Sequence, residues 1–191
     1  MTRRGAVVAL AIVLVVVAAG ALSVALPRWA DRREAATPAA PEQTVVPPGQ
    51  GRTIKARLFY VSNDGMRLTS LERDVPYGEG TLEQAREILA AQVARVAEPL
   101  MSAVPPGTTV RTVFIADDGS AYIDLSRQVA AAHGGGTLDE LLTVYTFVNA
   151  LTANLPAVTA VQVLVDGKEV DTLAGHVDLR RPLAGNPAWV Q

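Results

Sequence analysis

Residues 113–126 read VFIADDGSAYIDLS, two apolar stretches of alternating character on either side of an Asp-Gly pair. An Asp-Gly pair supplies the positive φ angles that a tight turn needs. The stretch therefore predicts a β-hairpin, with strands Thr109–Ala116 and Ser120–Leu125 joined by a turn over residues 117–119. Because this hairpin lies between two helical patterns, helices do not alternate with single parallel strands, which favours an α+β fold.

A first helix is predicted upstream of the hairpin. Thr81 and Gln84 have the spacing of a capping box, in which each side chain satisfies a backbone donor at the helix start. Pro99 disfavours the α conformation in the residue before it, so we expect the helix to end near Glu98. The apolar positions with helical spacing are Leu82, Ala85, Ile88, Leu89, Val93, Val96 and Ala97.

A second helix is predicted downstream of the hairpin. Thr137 and Glu140 form a second capping box after the glycine run Gly134–Gly136. Pro156 closes this helix, because proline cannot continue it. The positions expected to be buried are Leu138, Leu141, Leu142, Tyr145, Val148 and Leu155.

Strands are predicted at both ends of this region. Thr53–Val61 alternates in polarity and is rich in β-forming residues, and residues 62–65 (SNDG) form a turn to a weaker strand within residues 66–75. Ala160–Val165 is a core strand after the second helix.

The C-terminal polar residues are explained by turns. Asp166 and Gly167 form a tight turn, Lys168–Leu173 returns as a strand, and His176–Leu179 adds a short final one. The complete order predicts an α+β domain in which two helices pack on one face of a small mixed β-sheet.

The N-terminus carries a long apolar run. Residues 5–26 contain no charged residue, and roughly 20 apolar residues span a bilayer. We predict a membrane anchor over residues 1–27, with residues 6–26 in the membrane. A cleaved signal peptide is the alternative, because residues 19–21 (AGA) fit a small-residue cleavage site.

Arginines flank both ends of the run, so charge does not decide the orientation. Long domains cross membranes largely regardless of charge, and we expect a single-pass protein of the cell membrane with an extracytoplasmic domain. Residues 28–51 contain Pro38, Pro41, Pro47 and Pro48, which deny helix. This segment is predicted to be a semi-extended linker before a folded domain over residues 52–191.

Composition excludes several classes of partner. The net charge is -2 with no basic stripe, so we expect no nucleic acid partner. The chain has no cysteine, hence no disulfide, thiolate nucleophile or cysteine zinc site. Aromatic residues make up only 5%, too few for an aromatic-lined groove, and we expect no small-molecule ligand.

The histidines and several carboxylates are candidates for catalysis or metal binding. His176 and Asp178 would share a face of a strand, but the only other histidine, His133, stands beside the glycine run, and no zinc-binding spacing results. His176 is therefore interpreted as a surface or strand-end residue. Asp124 and Ser126 lack the surrounding pattern of a nucleophile elbow, and Ser126 is expected to cap a short helical turn.

The remaining polar residues have ordinary structural explanations. Gly134–Gly136 matches no phosphate-binding loop and is interpreted as a flexible helix entry. Asp117, Asp118 and Asp166 are turn residues without the further oxygens that calcium requires. Glu83, Arg86, Glu87 and Arg95 are expected on the solvated face of the first helix. We predict no catalytic, cofactor-binding or metal-ligating residue, no cofactor, and no enzyme activity.

The ordered segments resemble the GerMN domain of sporulation and spore-germination proteins. The segments that carry the resemblance are LFYVSNDG, VPPGTTV, VFIADDGSAYIDLS, TFVNALTANLPAV, VQVLVDGK and GHVDLRRPL. The resemblance implies an extracytoplasmic module without known catalytic residues, similar in fold to ring-building motifs of secretion and engulfment complexes. Some relatives act in spore envelope assembly. This chain has one copy of the domain and lacks the lipoprotein cysteine common in relatives.

Two functions follow as hypotheses. The favoured one is a membrane-anchored protein–protein interaction or assembly module, binding envelope proteins or further copies of itself through a strand edge such as Ser120–Leu125. The alternative is a wall-ligand-binding or hydrolytic domain that uses His176, Asp178 and Asp124 around a shared pocket.

Overall fold

The computed structural model describes residues 51–191. The predicted anchor over residues 1–27 and all but the last residue of the predicted linker lie outside this range. Among the described residues, no helix is long and apolar enough to cross a membrane.

The described chain forms seven strands, three α-helices and one 3₁₀ turn. The order of elements begins with a hairpin, and its long helices lie before and after a second hairpin. The elements are β1 Thr53–Val61, β2 Leu68–Pro76, α1 Gly80–Val93, β3 Val110–Ile115, β4 Ser120–Leu125, α2 Gln128–Ala131, α3 Thr137–Thr152, β5 Ala160–Val165, β6 Lys168–Glu169, β7 Leu183–Ala184 and the 3₁₀ turn Pro187–Trp189.

The larger sheet is mixed, as the sequence predicts. Strand β3 pairs antiparallel with β4, and β4 pairs parallel with β5. Two short strands, β6 and β7, pair antiparallel with different halves of β5. Asp166 at φ 50° and Gly167 at φ 76° form the predicted tight turn between β5 and β6. The α+β class is therefore confirmed.

The structure has two sheets where the sequence led us to expect one. Strands β1 and β2 form a separate two-stranded sheet. The outer edge of β1 is closed by side-chain amides, from Gln92 on α1 and from Asn154 just after α3, instead of by a strand. The Gln92 amide accepts from the Phe59 N–H at 2.9 Å and donates to the Phe59 carbonyl at 2.8 Å. Asn154 makes the same pair of bonds with Arg57, both at 2.8 Å.

One core joins both sheets to the helices. The row Val113, Ile123 and Val163 runs across the larger sheet, and each of these residues is almost fully buried. Apolar side chains of α1 and α3 cover this face. The largest fully buried apolar residues are Tyr60, Phe147, Leu58, Leu68, Ile88, Leu89, Ile123, Leu125, Leu142, Leu151 and Leu179.

Helix boundaries depart from the predictions. Helix α1 ends at Val93, and Ala94 is already extended at ψ 145°, because Pro99 restricts only its immediate neighbour. Neither predicted capping box forms. The Gln84 amide accepts instead from the Gly78 N–H at 3.0 Å and donates to the Pro76 carbonyl at 3.1 Å.

The C-terminal strands are shorter than predicted. Strand β6 comprises only Lys168–Glu169, and residues 176–179 form no strand. The chain between β6 and β7 folds instead as a loop against Glu140. The Glu140 carboxylate accepts from backbone N–H groups of that loop, which are then not available for strand pairing.

Candidate interaction surface

Glu140 anchors the loop of residues 173–177. Its side chain is fully buried in the first turn of α3. The carboxylate accepts from the Leu173 N–H at 2.7 Å and from the His176 N–H at 2.8 Å. Burial raises the pKa of Glu140, but hydrogen bonds from the backbone N–H groups of Ala174, His176, Leu173 and Val177 outweigh burial, so the pKa lies below its ordinary value.

The position of His176 follows from the same network. Its Nδ1 lies 3.2 Å from the Glu140 carboxylate, and 38% of its side chain is exposed. A histidine in this position fastens its own loop to helix α3. His176 is exposed at the surface, as one of the two interpretations predicts, but it does not end a strand, because residues 176–179 form no strand.

Asp124 is held at the end of β4 by two partners. Its carboxylate accepts from the Gly167 N–H at 2.7 Å and lies 2.9 Å from Arg111. Arg111 also lies 3.6 Å from Asp166. The pairing of β3 with β4 shifts at this point, and such an irregularity redirects a side chain. The cluster therefore fixes the turn between β5 and β6.

His133 organises the glycine run. Its Nδ1 accepts from the Gly135 N–H at 3.0 Å, and its Nε2 lies 3.2 Å from the Thr143 hydroxyl. The Thr143 hydroxyl donates to the Ala103 carbonyl at 2.6 Å. The run Gly134–Gly136 is thus folded onto a side chain. His133 and Thr143 line a surface groove of about 410 Å³ together with residues 101–106.

The residues proposed for hydrolysis belong to separate networks. Asp178 pairs with Arg180 at 2.8 Å on the surface, and the side-chain hydrogen bond from Arg180 lowers the pKa of Asp178. Asp124 pairs with Arg111, and His176 pairs with Glu140. Within residues 51–191, no hydrogen bond or ion pair joins any two of these three predicted residues, and no three histidines or carboxylates cluster as metal ligands.

The turn predictions agree with the geometry, but the predicted cap at Ser126 and the predicted helical position of Arg95 are wrong. Asp118 accepts from the Ser120 N–H at 2.8 Å, and Gly119 has φ 86°. Asp117 is exposed in the same turn. The Ser126 hydroxyl accepts from the Thr109 N–H at 3.0 Å, so it does not cap the helical turn that follows. On α1, Glu83 pairs with Arg86 and Glu87 is half-buried, whereas Arg95 is exposed beyond the end of the helix at Val93.

The predicted docking strand is not an edge. Strand β4, Ser120–Leu125, pairs with β3 on one side and with β5 on the other. Its backbone is therefore used on both sides, and the expectation that it adds a partner strand is wrong. Pairing order depends on distant segments, which a hairpin pattern does not reveal.

Strand β2 has the open edge instead. The backbones of Arg57 and Phe59 point away from β2, toward Asn154 and Gln92. Since bonded pairs alternate along antiparallel strands, the residues of β2 opposite Ala56 and Leu58, namely Arg73 and Leu71, bond to β1. The N–H and C=O groups of Ser70, Glu72 and Asp74 consequently point outward.

Both ends of this edge, but not its middle, are bonded within residues 51–191, since the Pro76 carbonyl accepts from the Gln84 amide at 3.1 Å. The Gln191 N–H donates to the Leu68 carbonyl at 2.9 Å. Beyond it, the four consecutive residues from Leu71 to Asp74 are all exposed. We call residues 70–74, with their outward backbone groups, the β2 edge. No strand of the described chain pairs with it.

A second exposed apolar residue lies on the larger sheet. Phe114 is 61% exposed, and its ring centroid lies 6.1 Å from that of Tyr122. Phe114 is paired with Tyr122 across β3 and β4, and Tyr122 is paired with Gln162 across β4 and β5. Phe114 belongs to the open face of the sheet, because Val113 and Ile115 alternate with it toward the core.

Sequence comparison gives the family. Residues 57–171, more than half of the chain, match the family described as "Germane: Sporulation and spore germination". The chain belongs to the Germane family. No curated protein matches this Germane chain.

Solved structures show the same fold for this Germane domain. The tandem GerMN domains of the sporulation protein GerM from Bacillus subtilis match with a TM-score of 0.55 and 20% identity, over 70% of this chain and 46% of that one. The chain thus spans about half of the tandem structure. The first GerMN domain of the same protein matches with a TM-score of 0.53 and 18% identity, over 69% of this chain and 98% of that one.

A third match is a putative lipoprotein from Clostridium perfringens, with a TM-score of 0.49 and 21% identity over 69% of this chain and 87% of that one.

Two features of the described domain have no direct signal in the sequence. Glu140 has the spacing of a helix cap, and its distant partners are not visible in the chain order. The alternation in Leu68–Pro76 predicts a strand, but it does not predict which edge of that strand stays unpaired.

Proposed function

We propose that this Germane-family chain is a non-catalytic protein–protein interaction module of the bacterial cell envelope. In this proposal, residues 6–26 anchor it in the membrane and residues 28–51 hold the domain away from the membrane on the extracytoplasmic side. The uncharged apolar run and the proline-rich segment support the tethering. The family description supports a process related to spore formation or germination in sporulating organisms.

The open β2 edge is the observation that carries the interaction function. Three residues, Ser70, Glu72 and Asp74, present backbone donors and acceptors outward along one strand. An extended segment of a partner can pair with such an edge through main-chain hydrogen bonds. The partner is an envelope protein or a further copy of this chain, and the two give different crosslinked products.

Photocrosslinking in cells tests the interaction. A photoreactive amino acid at position 70 of the full-length protein should form a defined product with one partner. Leu71→Asp should remove that product, because a charge then replaces the apolar side chain beside the docking strand. Phe114→Asp is the matched control, since Phe114 is also apolar and exposed but lies in the other sheet.

The outcomes separate the surfaces. Retention of the product in Leu71→Asp, with loss in Phe114→Asp, would place the contact on the larger sheet and refute docking at β2. Thermal unfolding of both variants must match the parent chain.

Membrane topology is tested separately. The chain has no native cysteine, so Glu79→Cys should react with a membrane-impermeant maleimide in intact cells if the domain is extracytoplasmic.

A further inference from the structure

On the solvent-facing side of the first hairpin, the residues nearest the β2 edge are carboxylates. The register places Arg57 opposite Glu72 and Lys55 opposite Asp74, and the Lys55 Nζ lies 2.9 Å from the Asp74 carboxylate. Each row therefore runs from a basic residue on β1 to an acidic residue on β2. Unlike charges directly opposite one another stabilise neighbouring strands, and like charges destabilise them. An added strand consequently gains from lysine or arginine beside Glu72 and Asp74.

The core-facing side of the same hairpin ends in an uncovered leucine. Leu58 and Leu71 lie opposite each other, but Leu58 is 1% exposed and Leu71 is 43% exposed. An apolar residue of an added strand would cover Leu71. Arg73 lies on this same side, opposite Ala56, so a basic residue beside it is disfavoured.

The four positions together define a pattern. Beside Leu71, Glu72, Arg73 and Asp74, the added strand favours an apolar, a basic, a non-basic and a basic residue in turn. The C-terminal residue Gln191 occupies the backbone of Leu68, which limits the available length to the β2 edge.

We propose that the β2 edge binds a short extended segment of a partner in which basic residues alternate with apolar residues. The inference rests on the proposed interaction function and adds the chemistry of the partner. Main-chain hydrogen bonds to Ser70, Glu72 and Asp74 supply the pairing, and alternation of the side chains supplies the selectivity.

Peptide binding to the full-length protein in detergent tests this proposal. Three fluorescent peptides of about seven residues each are compared by anisotropy: alternating lysine and valine, alternating glutamate and valine, and alternating lysine and serine. The lysine–valine peptide should bind about tenfold more tightly than either of the others, and added salt should weaken its binding. Methylation of the peptide nitrogens that face β2 should abolish binding.

Charge reversal supplies the matched variants. Glu72→Lys with Asp74→Lys should weaken the lysine–valine peptide about tenfold and strengthen the glutamate–valine peptide. Glu79→Lys with Glu98→Lys changes the net charge equally at exposed positions outside the β2 edge and should change the affinity by less than about twofold.

Each failure is distinct. Equal binding of the glutamate–valine or lysine–serine peptide, or an equal loss in the control pair, overturns the inferred chemistry. Absence of peptide binding, while Leu71→Asp still removes the crosslinked partner in cells, overturns the inferred chemistry but leaves the proposed function intact. Peptide binding without any effect of Leu71→Asp on the cellular product overturns the proposed function.

Discussion

Replacing Glu140 with alanine is expected to lower the free energy of unfolding by about 3 kcal/mol. The carboxylate accepts from the Leu173 N–H at 2.7 Å and from the His176 N–H at 2.8 Å. A hydrogen bond to a charged group contributes about 1.5–3 kcal/mol. Two bonds at the lower value give about 3 kcal/mol, and the lower value applies because water reaches the exposed Gly175 and His176 once the carboxylate is gone.

Urea denaturation of the parent and variant chains measures this loss. Glu140→Gln keeps the shape and one acceptor oxygen, so about half of the loss is expected. Glu79→Ala, a change at an exposed glutamate, is the control and should stay within about 0.5 kcal/mol. A change of less than about 0.5 kcal/mol in Glu140→Ala would refute the anchoring role.

The pH dependence gives an independent check. The pKa of Glu140 is lowered in the folded state, so the folded state binds fewer protons there than the unfolded state. Its contribution is therefore complete above the unfolded pKa of about 4.3 and is lost as the pH falls through the folded pKa. The difference between the parent and Glu140→Gln should shrink on acidification below about pH 4. A difference that grows on acidification would contradict this sign.

Three further changes test the packing by urea denaturation. Gln92→Leu should cost about 3 kcal/mol, because the buried Phe59 backbone loses both partners; a loss below about 1 kcal/mol would contradict the closure of β1 by this amide. Thr146→Val should stabilise the domain by about 1 kcal/mol, because the Thr146 hydroxyl is buried without a partner, and destabilisation would show that the hydroxyl is satisfied. Gly119→Ala should cost about 2 kcal/mol, because φ is 86° and a Cβ would lie 3.0 Å from the Ala157 carbonyl oxygen; a neutral result would show that the turn relaxes.

Local patterns predicted the elements whose cause is local. The Asp-Gly pair at residues 118–119 predicts the hairpin, because turn chemistry and strand alternation agree there. The pair at residues 166–167 predicts the turn after β5 for the same reason. Helix α3 ends near its predicted proline stop, since Thr152 is its last residue and Pro156 follows shortly.

Long-range partners decided what local patterns did not. The Thr-x-x-Glu spacing of Thr137 and Glu140 is compatible with a helix cap and with a buried anchor. Glu140 becomes an anchor only because residues 173–177 pack against it and donate backbone hydrogen bonds. Gln92 on α1 and Asn154 just after α3 are of residue types common at protein surfaces, yet their amides bond to the outer edge of β1. The central position of β4 likewise depends on β5, which lies beyond helix α3 in sequence.

In the candidate surface, too, local patterns predict the residue types, and long-range partners determine their contacts. His176, Asp124 and Asp178 were recognised as polar residues of interest, but their separate ion pairs depend on tertiary partners. Leu71 was one apolar position in a weak strand. Its exposure arises because helices close β1, on the other side of the hairpin, and leave β2 at the outside.

The first hairpin has a mechanical consequence for a domain loaded at its two ends. Thr53 begins β1 beside Pro76, whereas Gln191 is bonded to Leu68 at the opposite end of β2. Tension between these points pulls β1 and β2 in opposite directions along their length. One backbone hydrogen bond joins Gln191 to β2, so such tension loads the nine registered residue pairs of the hairpin in shear only while that bond holds.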